Sequence, residues 1–419
     1  MESQRGKCEV VMAGSAVDGG GRLVAPAAIV VRDGVVEAVD APVRVGAVSG
    51  ATIRNCSGCV VVPPFVNAHT HLDLSFLTDL ATVYQEQGFA AWLNRVRCDR
   101  PESNEDLCAA VQRGIELSHG GGVGWVGDIA GRRSMVSFEM LSKSSLEGVS
   151  YLEVFGLCGH HQAATVEFLR ALVPQRRGGV QLGVSPHAPY SSGPLSFEAA
   201  MQRPMPLTTH LAETSEELEF MQHGGGPMRQ LNDSLGLISP TWKPPGTHPV
   251  PWFLDRIPSD RTQSISAAHV NLIEPEMVDQ LSQKGVVVMY CVRSNAFFDS
   301  ARPQPRVHPW RAMMKAGVRV CLATDGICSL DRSDRLSPLD DARVLWKQGS
   351  VDAQTLLAML SVHGLAAMGL AIEKALLQPG AKNGLIGFEV TNPHLGFRSV
   401  LDHDVSPQWI VPPVDSVIA

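Results

Sequence analysis

The sequence predicts an α/β chain: a (β/α)8 TIM-type barrel joined to a small composite β-sandwich built from both chain termini. Three observations predict it. Eight short apolar runs alternate with longer amphipathic stretches between residues 63 and 369, the pattern of a parallel sheet whose strands are linked by crossover helices. β-rich segments with Gly-containing turns flank that region, at 1–62 and 370–419. Histidines and carboxylates recur at the ends of the apolar runs, where barrels of this type place their chemistry.

The first segment reads "EVVMAGSAV", "AAIVVRDGVVEAVD" and "ATIRNCSGCVVV". Asp33-Gly34 between two apolar runs is a hairpin signal. Pro63-Pro64 stops the strand pattern and marks a boundary. The eight runs that follow are Phe65–Ala68, Val123–Asp128, Ser150–Phe155, Val180–Ser185, Pro206–His210, Ile265–His269, Val286–Cys291 and Val318–Thr324. A doubly wound open sheet is the alternative arrangement, but no Gly-rich phosphate fingerprint follows the first run, which weighs against a dinucleotide site. From about residue 372 the chain turns Gly/Pro-rich in "LLQPGAKNGLIGFEVTNPH". Its short apolar runs can complete the N-terminal sandwich.

Composition narrows the function classes. Hydrophobic residues make up 44% and charged residues 18% of 419, with a formal net charge of -7, an ordinary balance for a globular enzyme. No basic patch invites a nucleic-acid polymer. No apolar run is long enough to span a membrane, and the N-terminus lacks the pattern of a signal peptide. Nine scattered cysteines read as reduced thiols of a cytoplasmic protein. The expected partner is a small heterocyclic substrate, and a homodimer is compatible with the chain.

The chemistry-bearing segments are "NAHTH", "THLAET", "AAHVN" and "LATDG". His69 and His71 are two apart on an extended segment, so both side chains point the same way. His210 ends the fifth run and Asp325 the eighth. Three imidazoles and a carboxylate suit one divalent metal ion, zinc first and ferrous iron second, with a coordination position left for water. Glu213, three residues after His210, can carry a proton between such a water and a substrate. It also suits the first turn of a helix, where the dipole favours an acid. His269 ends the sixth run, either as a further ligand or to orient the nucleophile; the second reading is preferred, with Asp325 sharing the task.

These motifs, together with "PPFVNAHTHLDLS", "VSPHAPYSS", "HLAETSEELEF" and "YCVRSN", resemble the amidohydrolase superfamily in its branch of mononuclear deaminases and chlorohydrolases, from about Val60 to Ala367. The resemblance implies metal ligation by His69, His71, His210 and Asp325, proton shuttling by Glu213 and water orientation by His269. Binuclear members carry a modified lysine at the end of the fourth strand. Here "VQLGVSPHAPY" contains none, so one ion is expected. Within the branch, "FAAWLNRV", "YLEVFG" and "EELEFMQHGGGPMRQL" are similar to adenosine-type deaminases, aminodeoxyfutalosine deaminases and S-adenosylhomocysteine deaminases among them. The implied activity is hydrolytic release of ammonia from an adenine-type nucleoside. Dechlorination or amide cleavage of another heterocycle would use the same groups. A non-catalytic metal-binding barrel would be expected to lack Glu213 or His269. The chain departs from the family pattern after Asp325, where Ser329 is followed by Leu330 and Asp331, and in "GAKNGLIGF", which replaces the usual C-terminal strand motif.

Substrate contacts are expected from His187 on a Pro-flanked loop, from Trp92 by stacking on a base, and from Glu153 at the end of the third run. Arg293 either faces the site or pairs with a structural carboxylate. Cys56 and Cys59 form a lone CxxC without a partner pair. His223, His248 and His308 lie in Gly/Pro-rich loops and are expected at the surface.

Overall fold

A computed structural model describes residues 7–78, 80–300, 307–349 and 351–414. The chain opens with β1 (Cys8–Val17), β2 (Leu23–Val24), β3 (Ala27–Arg32), β4 (Val35–Asp40) and β5 (Thr52–Val62). β1 pairs antiparallel with β3 and parallel with β5. Asp33 and Gly34 join β3 to β4 with φ of 50° and 80°. Two successive positive φ values twist a tight hairpin in the sense that its strands require.

The barrel follows. Its elements are β6 (Phe65–Thr70), β7 (Val123–Ala130), β8 (Glu147–Val154), the two-residue β9 (Arg176–Arg177), β10 (Val180–Pro186), β11 (Leu207–Leu211), β12 (Ile265–His269), β13 (Val287–Tyr290) and β14 (Val320–Leu322). Eight of them run in the order β6-β7-β8-β10-β11-β12-β13-β14, each parallel to its neighbour, while β9 lies antiparallel on β10. Each contains or overlaps one of the eight apolar runs. Their residues are almost all buried, which is why the runs read as continuous rather than alternating. The seam between β6 and β14 is closed largely by side chains. Asn67 Oδ1 accepts from Thr324 N at 3.0 Å, Asn67 Nδ2 donates to Thr324 Oγ1 at 2.8 Å, and Asp325 N donates to His69 O at 3.0 Å.

The barrel interior is filled by Val66, Trp125, Tyr151, Met289 and Cys321, and Leu365 and Met368, from the helix Val362–Ala367 and just after it, pack against them. That helix comes very close to β6: a Cβ on Gly364 would sit 2.6 Å from Val66 Cγ1. Outside, the helix Asn104–Gly120 shows how a crossover is specified. Ser103 caps it by accepting from Asp106 N, and Leu107, Val111, Ile115 and Leu117 form its buried stripe.

The last strands are β15 (Leu385–Glu389) and β16 (Gln408–Val411). β15 pairs antiparallel with β5, and β16 with β15. The two chain ends therefore share one seven-stranded mixed sheet, with Val11, Ile29, Val61, Leu385 and Ile410 in a common cluster. No helix among the described residues is long and apolar enough to cross a membrane.

Candidate metal centre and active site

The chemistry-bearing side chains meet at the C-terminal ends of the barrel strands. β6 shifts register against β7 between Asn67 and Thr70, an irregularity of the kind that re-aims side chains beside sites. His69 lies on that stretch and His71 directly after it. His210, His269 and Asp325 arrive from the ends of β11, β12 and β14. His269 and Asp325 both hold positive φ, 70° and 66°, a conformation that costs energy in non-glycine residues and clusters at functional sites.

His69, His210, His269 and Asp325 each offer one donor atom, all within 4.8 Å of one another. His71 joins through Nε2, 3.3 Å from Asp325 Oδ1 and 3.3 Å from His210 Nε2. His69 Nε2 lies 3.7 Å from Asp325 Oδ1. Five donors thus converge. His269 stands at ligand distance as well as beside Glu213, its Nε2 3.5 Å from Glu213 Oε1.

The donor set fits a divalent cation. Both ring nitrogens of His69 and of His269, and Nδ1 of His71, are buried without a hydrogen-bond partner among the described residues. Unsatisfied buried nitrogens are costly unless something binds them. Burial keeps the imidazoles of His69, His210 and His269 in the neutral, ligating form. It lowers His69, takes His210 well below its ordinary value and lowers His269 to about 3, although Asp325 opposes it at His69 and His269. Burial also lowers His71, but Asp325 outweighs it and the net shift is upward. Burial disfavours the charge of Asp325, yet the imidazoles of His69 and His71 hold its carboxyl well below the usual carboxylate range.

Outer contacts fix these groups. Ser294 Oγ donates to Asp325 Oδ2 at 2.7 Å and Ser329 Oγ at 3.3 Å, while Gly326 N donates to Oδ1 at 2.7 Å. His210 Nδ1 lies 3.0 Å from His187 O, the contact that orients a ligating imidazole. Sequence reasoning passed over Ser294, although "YCVRSN" contains it, and met Ser329 only as part of a departure from the family pattern.

Glu213 is buried just ahead of the helix Ser215–His223. The first-turn acids of that helix are Glu216 and Glu217, so the reading of Glu213 as a helix-start acid is corrected. Glu217 accepts from Ala212 N at 3.0 Å and from Glu213 N at 2.8 Å, and so secures a corner where Ala212 takes φ 48°. Burial, then the charges of Asp325 and Glu217, pushes the Glu213 carboxyl well above the usual range.

A cavity of about 410 Å³ opens from this centre and is lined by Trp92, Glu153 and His187 as well as by His71, His210, Glu213 and Asp325. His187 Nδ1 pairs with Ser191 Oγ at 2.6 Å, and its Nε2 is 3.9 Å from Glu153 Oε1. Burial pulls His187 down to about 4. Glu153 Oε2 accepts from Arg100 Nη1 at 3.0 Å, and Arg100 Nε also faces Asp73 Oδ2 at 3.2 Å. Trp92 stacks on Phe89 with ring centroids 5.9 Å apart, and its buried Nε1 has no partner among the described residues.

The surface reading of two histidines is corrected. His248 and His308 are buried, not on the surface: His248 Nδ1 accepts from Val250 N at 3.2 Å at the start of the helix Pro249–Leu254, and His308 Nε2 meets His269 O at 2.8 Å. Of the two readings of Arg293, pairing with a structural carboxylate is the one found, its Nε lying 3.0 Å from Asp341 Oδ2. Cys56 and Cys59 are free thiols on β5, and burial pushes Cys59 up to about 11, which makes it a poor nucleophile.

Comparison with known proteins agrees with this architecture. Residues 60–407 match the model of the amidohydrolase family. The aminodeoxyfutalosine deaminase of Deinococcus radiodurans is 29% identical over 288 residues, which cover 65% of this chain and 65%, just under two thirds, of that protein. The 5-methylthioadenosine/S-adenosylhomocysteine deaminase of Desulforamulus reducens is 24% identical over 397 residues, 88% of this chain and 81% of that one. The crystal structure of Helicobacter pylori aminofutalosine deaminase in complex with methylthio-coformycin superimposes with a TM-score of 0.75 at 20% identity, covering 96% of this chain and 98% of the other.

Proposed function

This chain belongs to the amidohydrolase family, and from that membership we propose that it is a mononuclear, metal-dependent deaminase of an adenine-type nucleoside. Aminodeoxyfutalosine or a related adenosine derivative is the proposed substrate. The observation that carries the reading is the buried donor cluster with unpartnered imidazole nitrogens, set beside a buried carboxyl group that is not a member of the cluster. The relatives named above act on nucleosides of this kind.

His69, His71, His210 and Asp325 would hold the ion, zinc by the nature of the donors, with ferrous iron second. When bound, a divalent ion supplies a water acidic enough to give up a proton near neutral pH. His269 and Asp325 orient the attacking oxygen. Glu213 takes a proton from the water and delivers it to the ring nitrogen next to the amine-bearing carbon. The new C–O bond forms at that carbon, the second water proton goes to the departing amine, and the C–N bond breaks to release ammonia. His187 and Glu153 contact the bound nucleoside, and Trp92 offers a ring face and an unpaired N–H in the cavity wall. Nine free cysteines are in keeping with a cytoplasmic enzyme.

The test is ammonia release by metal-loaded protein from adenosine, methylthioadenosine, S-adenosylhomocysteine and aminodeoxyfutalosine, with chloride release from a chlorinated triazine as the control for the rival hydrolysis. Ammonia from at least one nucleoside supports the reading. Chloride release without ammonia would overturn it.

A further inference from the structure

We infer that His308 is a positioning residue for His269: its ring N–H holds the carbonyl of a strained peptide and so aims the His269 imidazole at the centre, an assignment that rests on the proposed function only for what His269 does there. The peptide between His269 and Val270 is flanked by two non-glycine residues at positive φ, 70° and 52°. A β-branched valine rarely adopts that conformation, which persists only where the surroundings impose it. Here the peptide is gripped at both ends. Its N–H, on Val270, donates to Leu211 O at 2.8 Å, and its carbonyl, on His269, meets His308 Nε2 at 2.8 Å. A carbonyl only accepts, so His308 carries its proton on Nε2.

The His269 ring depends on that backbone. Neither ring nitrogen has a hydrogen-bond partner among the described residues. Yet Nε2 stands 3.5 Å from Glu213 Oε1, and the donor atom of His269 lies within 4.8 Å of those of His69, His210 and Asp325. His308 is itself well anchored. It is buried, and its ring lies flat on that of Tyr290 at the end of β13, with centroids 3.9 Å apart and planes 14° from parallel. Pro309 follows it and restricts its backbone, just ahead of the helix Trp310–Lys315. The same corner reaches the carboxylate: Asn271 Nδ2 donates to Glu213 O at 3.2 Å, and Leu272 N to Ala212 O at 3.1 Å. Without the His308 N–H, a buried carbonyl loses its partner and the peptide plane is free to turn, carrying the imidazole away from Glu213. A displacement of about 1 Å at a reacting site can cost about 100-fold in rate.

Two substitutions separate the hydrogen bond from the packing. His308→Phe keeps a ring on Tyr290 and removes the N–H, whereas His308→Gln returns a donor near the place of Nε2. Zinc-loaded wild type and variants, with melting temperature and metal content confirmed, are compared by nitrogen-15 NMR of labelled histidines and by ammonia release; His269→Ala assigns the His269 signals. The wild type should show His308 as the neutral tautomer with its proton on Nε2, a result that needs no variant. His308→Phe should shift the His269 signals and lower kcat by about 10–100-fold, with KM within about threefold and the metal retained. His308→Gln should restore most of both. In a His269→Ala background, His308→Phe should cost little more, because both act through one group. A proton on Nδ1 of His308, His269 signals unmoved by His308→Phe, an equal loss in His308→Gln, or an undiminished further loss in the His269→Ala background overturns the assignment. If the wild type releases ammonia from none of the four nucleosides, the deaminase reading fails and the NMR comparison decides the positioning by itself; ammonia release with unmoved His269 signals keeps that reading and sinks the positioning.

Discussion

Ser294 donates its hydroxyl to Oδ2 of Asp325 at 2.7 Å, so the carboxylate facing His69 and His71 is held in place by the segment that follows the neighbouring barrel strand. Gly326 N fixes the other oxygen at 2.7 Å. The pairing leaves Asp325 one defined orientation, which a metal ligand requires.

Ser294→Ala should keep the fold and weaken the centre. Loss of an outer partner of a ligand typically costs about 10–100-fold in metal affinity or activity. Zinc titration against a competing chelator, alongside turnover, checks this. Unchanged affinity and unchanged turnover would show that Ser294 does not position Asp325.

Glu216 ties the active-site loop to the wall of the cavity. Its two carboxylate oxygens accept from Phe89 N and Ala90 N, each at 2.9 Å, at the start of the helix that carries Trp92. Gly88 makes room for it: φ there is +83°, and a Cβ would stand 2.9 Å from Glu216 Oε1. Glu216→Ala should loosen that helix, speed hydrogen exchange of its amides and raise KM by about tenfold, a change of roughly 1.4 kcal/mol in binding, with a smaller effect on kcat. Equal losses in kcat and kcat/KM at unchanged KM would contradict a role in shaping the cavity.

His363 gives the fold a pH dependence away from the centre. Burial lowers its pKa below the ordinary 6.5, although its contact with Val320 O at 2.8 Å opposes the shift. The folded state therefore binds the proton less readily than the unfolded chain. The stability that His363 contributes is complete above pH 6.5 and declines as pH falls below it, with a slope of at most about 1.4 kcal/mol per pH unit for one proton. Denaturation of the metal-free protein between pH 7 and 5 should show falling stability, with a shallower slope in His363→Gln. An identical slope in the variant would exclude His363 as a contributor.

The barrel was legible because buried parallel strands demand contiguous apolar residues, and all eight runs coincide with or overlap a strand. The histidines were legible because strand ends place them, and the gap of one residue between His69 and His71 gives both one direction. Residues that act through tertiary contacts carried no such mark. Asn67 closes the seam with Thr324, and Glu216 reaches residue 89, across separations of 257 and 127 residues that no local pattern encodes. His248 and His308 were misread because Gly/Pro-rich surroundings suggest exposure, whereas His248 caps the helix Pro249–Leu254 and His308 is buried against the backbone of His269. Glu213 was read as the proton shuttle with a helix-start acid as the bland alternative, and only the observed helix start at Ser215 separates it from the first-turn acids Glu216 and Glu217.

The central claim is that Glu213 moves the proton while the histidine–aspartate cluster holds the ion. The most direct measurement is single-turnover ammonia release by Glu213→Gln at confirmed metal content, with His210→Ala measured in parallel. Removing general acid–base assistance typically costs about 10²–10⁴-fold. Glu213→Gln should therefore keep close to one equivalent of metal and lose at least that much rate, whereas His210→Ala should lose much of its metal. Near wild-type turnover by fully loaded Glu213→Gln, or a reproducible two-metal stoichiometry in the wild type, would contradict the account.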